Sequence, residues 1–395
     1  MLVTTLLVIF VEIFTFMKAP FNFGKVIEGA YFTNRTKEMK RLEQNFINQT
    51  NTVLISPRRW GKSSLVKNTA DKLIRKNKKY KVVYIDLFNV LNEDEFYKEF
   101  AYQVIKATSN KIEEWLHTAR QYLSKLKPSV SFGDVPGAEV ELLMQLPEIK
   151  KNYKDILNLP EAIAKEKGIT ILICIDEFQN IERFTKEHVA LQKKLRAQWQ
   201  LQQQVVYCLY GSKRHMMMHL FESASMPFFK FGDVFYLEKI QMEHWLPFIE
   251  KQFVETKKII TAPQSERIVD LMNRHPYYVQ QLCQLVWLNT DKKVTDAIIA
   301  DSLTDLIERN NSLFQRDFES LSETQINFLK ALTCGETSFS SQKVLHQYGI
   351  GTSANITRVI SALENKEIIN KTGKSMEFAD PAFEIYFKSL YKLSS

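Results

Sequence analysis

ISPRRWGKSSL, residues 55–65, is the stretch on which the fold of this chain turns. Gly61, Lys62 and Ser63 stand in register with the phosphate-binding signature G-x-x-x-x-G-K-[ST], while the first glycine of that signature is replaced by Ser56. Such a loop works because successive backbone N–H groups and a helix N-terminus surround a phosphate, a lysine neutralises its charge, and the hydroxyl that follows ligates magnesium. The cradling N–H groups do not depend on a glycine at position 56, provided Ser56 can adopt the local turn. Pro57 fixes the next φ angle and stiffens the entry.

A match of this kind needs a strand before it and a helix after it. Thr52 to Ile55 is a short β-branched run, and SSLVKNTADKLIRK places Leu65, Ala70 and Leu73 on one face with basic residues opposite. Three further apolar runs follow: KVVYIDLF (residues 81–88), ITILICIDEF (169–178) and VVYCLYGS (205–212). Continuous apolar strands are those buried on both faces of a parallel sheet. Helical patterns lie between them, at Glu93 to Thr108 and Lys186 to Gln203, so the chain reads as α/β with a parallel sheet. Upstream, FTNRTKEMKRLEQNF predicts a helix capped by Asn34 or Thr33, with Met39, Leu42 and Phe46 inward. Residues 125–148 read as a β-hairpin insertion without chemistry.

From about Glu243 the buried strand runs stop and helices follow: HWLPFIEKQFVET, SERIVDLMNR and HPYYVQQLCQLVWLNT. Residues 316–395 then give three helices and a short alternation around Thr372-Gly373-Lys374, the winged helix-turn-helix pattern. The expected units are therefore 17–240, 241–315 and 316–395, after an apolar extension at 1–16. That extension, within MLVTTLLVIFVEIFTFMK, is apolar for about 15 residues, is interrupted by Glu12 and is short for a bilayer span. It lacks a signal peptide's basic start, and Met17 opens an ordinary beginning, so 1–16 is expected to be a misassigned leader and a membrane role unlikely.

Composition sets the outer bounds. A chain of 395 residues, 45% hydrophobic and 25% charged with 12 Gly and 11 Pro, excludes collagen-like and disordered classes and is long enough for two or three domains. Cys174, Cys208, Cys283 and Cys334 are far apart with no C-x-x-C spacing, which excludes a zinc ribbon or disulfide framework and fits a cytoplasmic protein. The net charge of +8 suits phosphate polyanions, but a solvated lysine-rich surface is the more ordinary account of it.

In ILICIDE, five apolar residues deliver Asp176 and Glu177 to a strand end. An aspartate there can hold magnesium, and the glutamate beside it can polarise a water for attack on a γ-phosphate. The bland alternative is two solvated carboxylates, and binding without hydrolysis. In YGSKRHMM, Ser212 falls between the two motifs as a polar sensor, with Lys213 or Arg214 in reach of a phosphate; a turn followed by basic surface residues is the competing account. Arg58 and Arg59 are candidates for neutralising phosphate or touching a neighbouring subunit.

FTNRTKEMKRL, ISPRRWGKSSL, ILICIDEF, YGSKRHMM and HPYYVQQLCQLVW, in that order, resemble the AAA-type P-loop ATPases of the archaeal ATPase family and its bacterial relatives, close to the STAND and Orc/Cdc6-like branches. The resemblance spans about residues 20–390. It implies a P-loop NTPase core with a helical lid from residue 241 and a C-terminal winged helix. It also implies ATP and Mg2+ bound by Ser56, Pro57, Arg58, Arg59, Trp60, Gly61, Lys62, Ser63 and Ser64 with Asp176, Glu177 and Ser212. Lys62 and Glu177 would be catalytic, and Ser63 and Asp176 the metal ligands. Phe32, Asn34 and Arg35 match the upstream adenine-side motif, whose glycine is Asn34 here. His275-Pro276-Tyr277 matches a lid motif, and Arg274 stands beside the place of the usual second-sensor arginine.

Two uses of such a site stay open. One is a switch, as a single chain or a homo-oligomer, acting on duplex DNA through TSANITRVISALENK, with Ser353, Asn355, Thr357 and Arg358 as contacts and Lys371 and Lys374 on the wing. Glu364 and Glu367 on the same segment oppose it. The other is a switch that docks a protein partner, for which an exposed aromatic stripe at Phe383, Tyr386 and Phe387 would be the sign and a core role for that stripe the alternative.

Overall fold

β1 (Thr52–Ile55) is four residues long and buried throughout, which places it in the interior of a sheet. The computed structural model describes residues 18–109, 152–373 and 375–392. The segment 1–16, the insertion expected at 125–148 and Lys374 lie outside them. β1 pairs in parallel with β4 (Val205–Gly211) on one side and β5 (Asp233–Tyr236) on the other. β2 (Tyr80–Asp86) and β3 (Thr170–Asp176) complete a five-stranded parallel sheet of order β2-β3-β4-β1-β5.

Alternation along each strand explains why the runs read as unbroken apolar sequence. Leu54, Leu172, Cys174 and Cys208 pack on one face against α1 (Thr36–Ile47) and α2 (Lys62–Lys76). Val53, Ile55, Ile171, Ile173 and Tyr207 pack on the other, under α3 (Glu93–Thr108), α4 (Tyr153–Lys167), α5 (His188–Trp199) and α6 (Arg214–Glu222). Side chains at successive positions point to opposite faces, so a strand covered on both must be apolar at every position. Trp199 stacks on Tyr207 with ring centroids 4.2 Å apart and anchors the second layer.

Two features depart from the sequence expectation. The sheet has the edge strand β5 beyond the four runs recognised in sequence; it is short, begins with Asp233 and is only half-buried, so it carries no strong pattern. The start of α1 is not capped by Asn34 or Thr33. Asn34 and Arg35 take left-handed φ values of 53° and 69°, and Arg35 is the capping position without a side-chain cap.

After the sheet come α7 (Met242–Glu255), α8 (Ala262–Leu271), α9 (Pro276–Leu288) and α10 (Asp296–Arg309). The winged helix follows with α11 (Asn311–Glu319), α12 (Glu323–Thr333), α13 (Gln342–Tyr348), α14 (Ser353–Asn365), the antiparallel pair β6 (Ile369–Thr372) and β7 (Ser375–Phe378), and α15 (Pro381–Tyr391). Both units share one apolar cluster, from Trp245 and Leu282 to Phe314, Phe378 and Phe387. Phe383 and Phe387 lie inside it and Tyr386 packs at its edge, so the C-terminal aromatic stripe is core. Among the described residues no helix is long and apolar enough to cross a membrane.

Candidate nucleotide site

The register of the sheet brings the site together. Ile55 lies beside Gly211, and Asp86 beside Asp176, so the loops leaving β1, β3 and β4 emerge at one edge, the carboxyl ends of the strands, where α/β sheets bind ligands. Ser56 is fully buried, its N–H donates to the Gly211 carbonyl at 3.4 Å and its hydroxyl to the Pro57 carbonyl at 3.0 Å. Its φ is not positive; the left-handed positions of the loop are Arg59 at 64° and Gly61 at 91°. Glycine's freedom is therefore required at 61 and not at 56. Gly61 caps α2, whose first turn contains no acidic residue, leaving the positive end of the helix dipole open to an anion.

Behind this loop the charged groups converge. Lys62 Nζ donates to Glu177 Oε1 at 2.8 Å and lies 3.4 Å from Asp176 Oδ1. Ser63 Oγ donates to Asp176 Oδ2 at 2.6 Å. Glu177 Oε2 accepts from Ser212 Oγ at 2.7 Å and from Gln179 Nε2 at 2.5 Å. Glu177 itself is left-handed, φ 50°. Burial works against the Glu177 charge, but Lys62 and the hydrogen bonds from Lys62, Gln179 and Ser212 outweigh it and bring its pKa down to about 2. At Asp176, farther from the ammonium, burial outweighs the help of Lys62 and Ser63 and the pKa rises. Burial would discharge Lys62 as well, yet the two carboxylates hold its pKa above the ordinary value.

A hydroxyl and a carboxylate 2.6 Å apart at the helix start are hard oxygen donors suited to magnesium. Among the described residues no three His, Cys, Asp or Glu side chains gather to hold a metal by themselves. Magnesium at such a pair is completed by phosphate and water.

Next to the loop is a cavity of about 580 Å³ between α2, the lid and an N-terminal strap, lined among others by Phe32, Lys62, Trp245, Pro276 and Tyr277. The strap is tied at both ends. Ile27 N–H donates to Ser64 Oγ at 2.9 Å and Asn68 Nδ2 to the Ile27 carbonyl at 2.7 Å, while Asn22 N–H reaches Gln280 Oε1 at 3.2 Å. The Ser64 hydroxyl thus serves the strap. Arg35 lines the cavity, but its guanidinium donates to Glu38 and to the carbonyls of Glu238 and Trp60. Trp60 is buried, its ring 6.4 Å edge-on from His275. Arg274 turns away to Gln241 Oε1 at 3.0 Å. Toward the lid it is Arg59 that reaches across, 4.7 Å over the Tyr277 ring.

Residues 32–282, more than half of the chain, match the family described as an ATPase domain predominantly from Archaea. The chain belongs to that ATPase family. Residues 312–389 of the chain match a probable winged helix domain. Its fold is similar to the Walker-type ATPase PABY2304 of Pyrococcus abyssi, with a TM-score of 0.65 and 16% identity over 91% of this chain and 96% of that one. It is also similar to the Aeropyrum pernix ORC2 protein, solved as ADPNP-ADP complexes, with a TM-score of 0.58 and 13% identity over 95% and 100%. No curated protein matches in sequence.

In this family member the phosphate loop also reaches the winged helix. Arg58 Nη1 pairs with Glu367 Oε2 at 3.2 Å, Arg214 Nη1 donates to Thr372 Oγ1 at 2.8 Å, and Lys239 Nζ to Glu377 Oε2 at 2.6 Å. Arg59 Nη1 is 3.5 Å from the Tyr278 hydroxyl, which donates to the Asp380 carboxylate at the start of α15. Lys213 and Lys371 border the cleft that these contacts span. Ser353, Thr357 and Arg358 on α14 are exposed and Asn355 half-buried, away from that cleft. Sequence reasoning missed Asn22, Gln280 and Gln179. The first two sit on or against an irregular strap with no periodicity to read, and Gln179 follows a left-handed residue that folds the chain back.

Proposed function

We propose that the chain binds ATP with magnesium, hydrolyses it, and acts as a cytoplasmic switch read out by its winged helix. The observation that carries this reading is the Lys62–Glu177–Ser212 cluster at the ends of adjacent strands, beside a helix start with no acidic residue. Lys62 is tied to Glu177. Phosphate charge in the cradle competes for the ammonium and releases Glu177 Oε1, while loss of the cation also makes the carboxylate a better base. Glu177 then takes the proton of an attacking water, and Ser212 keeps hold of the other carboxylate oxygen. Ser63 and Asp176 would hold magnesium, which would supply charge neutralisation on the phosphates. Arg58 and Arg59 lie in the phosphate loop and touch Glu367, just after α14, and Tyr278, which binds Asp380 at the start of α15, so movement of the loop would be felt at both places. Both arginines are engaged within their own chain, which leaves any role toward a neighbouring subunit to a rearranged state.

Duplex DNA is the first partner we propose, supported by the exposed Ser353, Thr357 and Arg358; affinity should be modest, since few cations are engaged. A protein partner is favoured by a separate feature, Phe88 and Leu91, 65% and 74% exposed on the loop after β2. The deciding experiment is steady-state ATP hydrolysis with and without duplex DNA at low and moderate salt, with Lys62→Ala as the blank. Turnover that rises with DNA and loses the rise with salt supports the DNA reading; Lys62-dependent turnover indifferent to DNA supports the protein reading. Equal activity in the variant rejects the site. Lys62→Ala should also lose the thermal stabilisation given by Mg-ATP, worth about 2.7 kcal/mol at a hundredfold excess over Kd.

A further inference from the structure

Glu177 can serve as a base only if one of its oxygens is fixed while the other faces the reacting water, and Ser212 is not the only group that fixes it. Gln179 is 1% exposed and donates from Nε2 to Glu177 Oε2 at 2.5 Å. The amide has one possible orientation: turned over, its carbonyl oxygen would face the carboxylate. Its own Oε1 has no hydrogen-bond partner among the described residues, so the contact that orients the amide there is the one from its NH2 to Glu177. Space for the amide is reserved across the sheet. A Cβ added to Gly211 would meet Gln179 Oε1 at 2.0 Å and Met217 Sδ at 2.8 Å, so the residue before Ser212 has no side chain to contest the position.

From this arrangement we infer that Gln179 is a positioning residue: with Ser212 it clasps Glu177 Oε2, so that Oε1, vacated by Lys62, is the oxygen that receives the proton. This inference rests on the hydrolytic reading above. In the step, the water oxygen forms a bond to the γ-phosphorus, its proton passes to Glu177 Oε1, and the bond from that phosphorus to the β,γ-bridging oxygen breaks with its electron pair left on ADP. Gln179 touches neither water nor phosphate and acts through Glu177 alone.

The test is a double-mutant cycle in ATP turnover by the full chain. Gln179→Met keeps the length of the side chain and removes the donor; Gln179→Ala is the second variant should the thioether disturb folding, which circular dichroism reports. Each is combined with Glu177→Gln. Expected are a fall in kcat of about 10- to 100-fold, the scale of a misplaced catalytic group, a KM for ATP within about twofold of wild type, and no further loss when the Glu177→Gln background already lacks the base. A folded Gln179 variant with unchanged kcat, a loss confined to KM, or losses that multiply in the double variant would each overturn the inference while leaving the hydrolytic reading standing. Wild-type turnover no greater than that of Lys62→Ala would remove the hydrolytic reading and this inference with it.

Discussion

Ser56 turns the chain at the end of β1 without a left-handed φ, and Gly61 turns it with one. Ser56→Gly is therefore expected to leave Mg-ATP affinity unchanged and to cost no more than about 1 kcal/mol of backbone entropy. Gly61→Ala should behave differently. Nothing lies within 4 Å of the added Cβ, so its cost is conformational, about 1–2 kcal/mol, and calorimetric titration with Mg-ATP should show the weaker binding. His275 offers a second residue-level test. Burial, with Lys239 and Arg59 nearby, lowers its pKa from 6.5 to about 3. As pH falls below 6.5 the unfolded chain takes up the proton first, so stability is complete near neutrality and is lost progressively toward pH 3, about 1.4 kcal/mol per pH unit. His275→Gln should flatten that part of the melting-temperature profile between pH 7.5 and 5. The phosphate loop was legible because its parts are contiguous in sequence. Gln179 was not, because its meaning depends on the left-handed Glu177 and on the bare Gly211 at the end of the neighbouring strand β4.

At the level of elements, α15 is held at its first turn by Asp380, which accepts from the N–H groups of Ala382 and Phe383 at 2.9 and 3.0 Å and from the Tyr278 hydroxyl. Asp380→Ala removes a helix cap and orphans a buried hydroxyl. Each effect is worth about 1 kcal/mol or more, and urea denaturation should register the sum. Arg58→Ala, by contrast, removes a pair whose side chains are 58% and 39% exposed, and should cost well under about 1 kcal/mol. Elements were readable in sequence in proportion to their burial. β3, apolar and buried from Ile171 to Ile175, declared itself; β5, half-buried at an edge, did not. The cap expected at Asn34 or Thr33 failed for a tertiary reason: the Arg35 guanidinium is drawn to the carbonyls of Glu238 and Trp60, and the backbone before α1 bends to follow it.

Across the whole molecule, the lid and winged helix share one apolar cluster, although in sequence they read as separate units with their own motifs. Phe383→Ala, at the heart of that cluster, should cost about 3–5 kcal/mol and lower the melting of both units together, as tryptophan fluorescence from Trp245 and Trp287 in the lid would report. A shared core is invisible in sequence because periodicity says which face of a helix is apolar and not which partner covers it. The N-terminal strap spans the molecule differently. It is bound to α2 through Ser64 and Asn68 and to α9 through Gln280 and Gln284, so core and lid are leashed by a few polar contacts across the mouth of the cavity. Whatever enters that mouth must leave past the same leash, and under the proposed function the residence time of a spent nucleotide would become a property of a stretch of chain remote from the hydrolytic step.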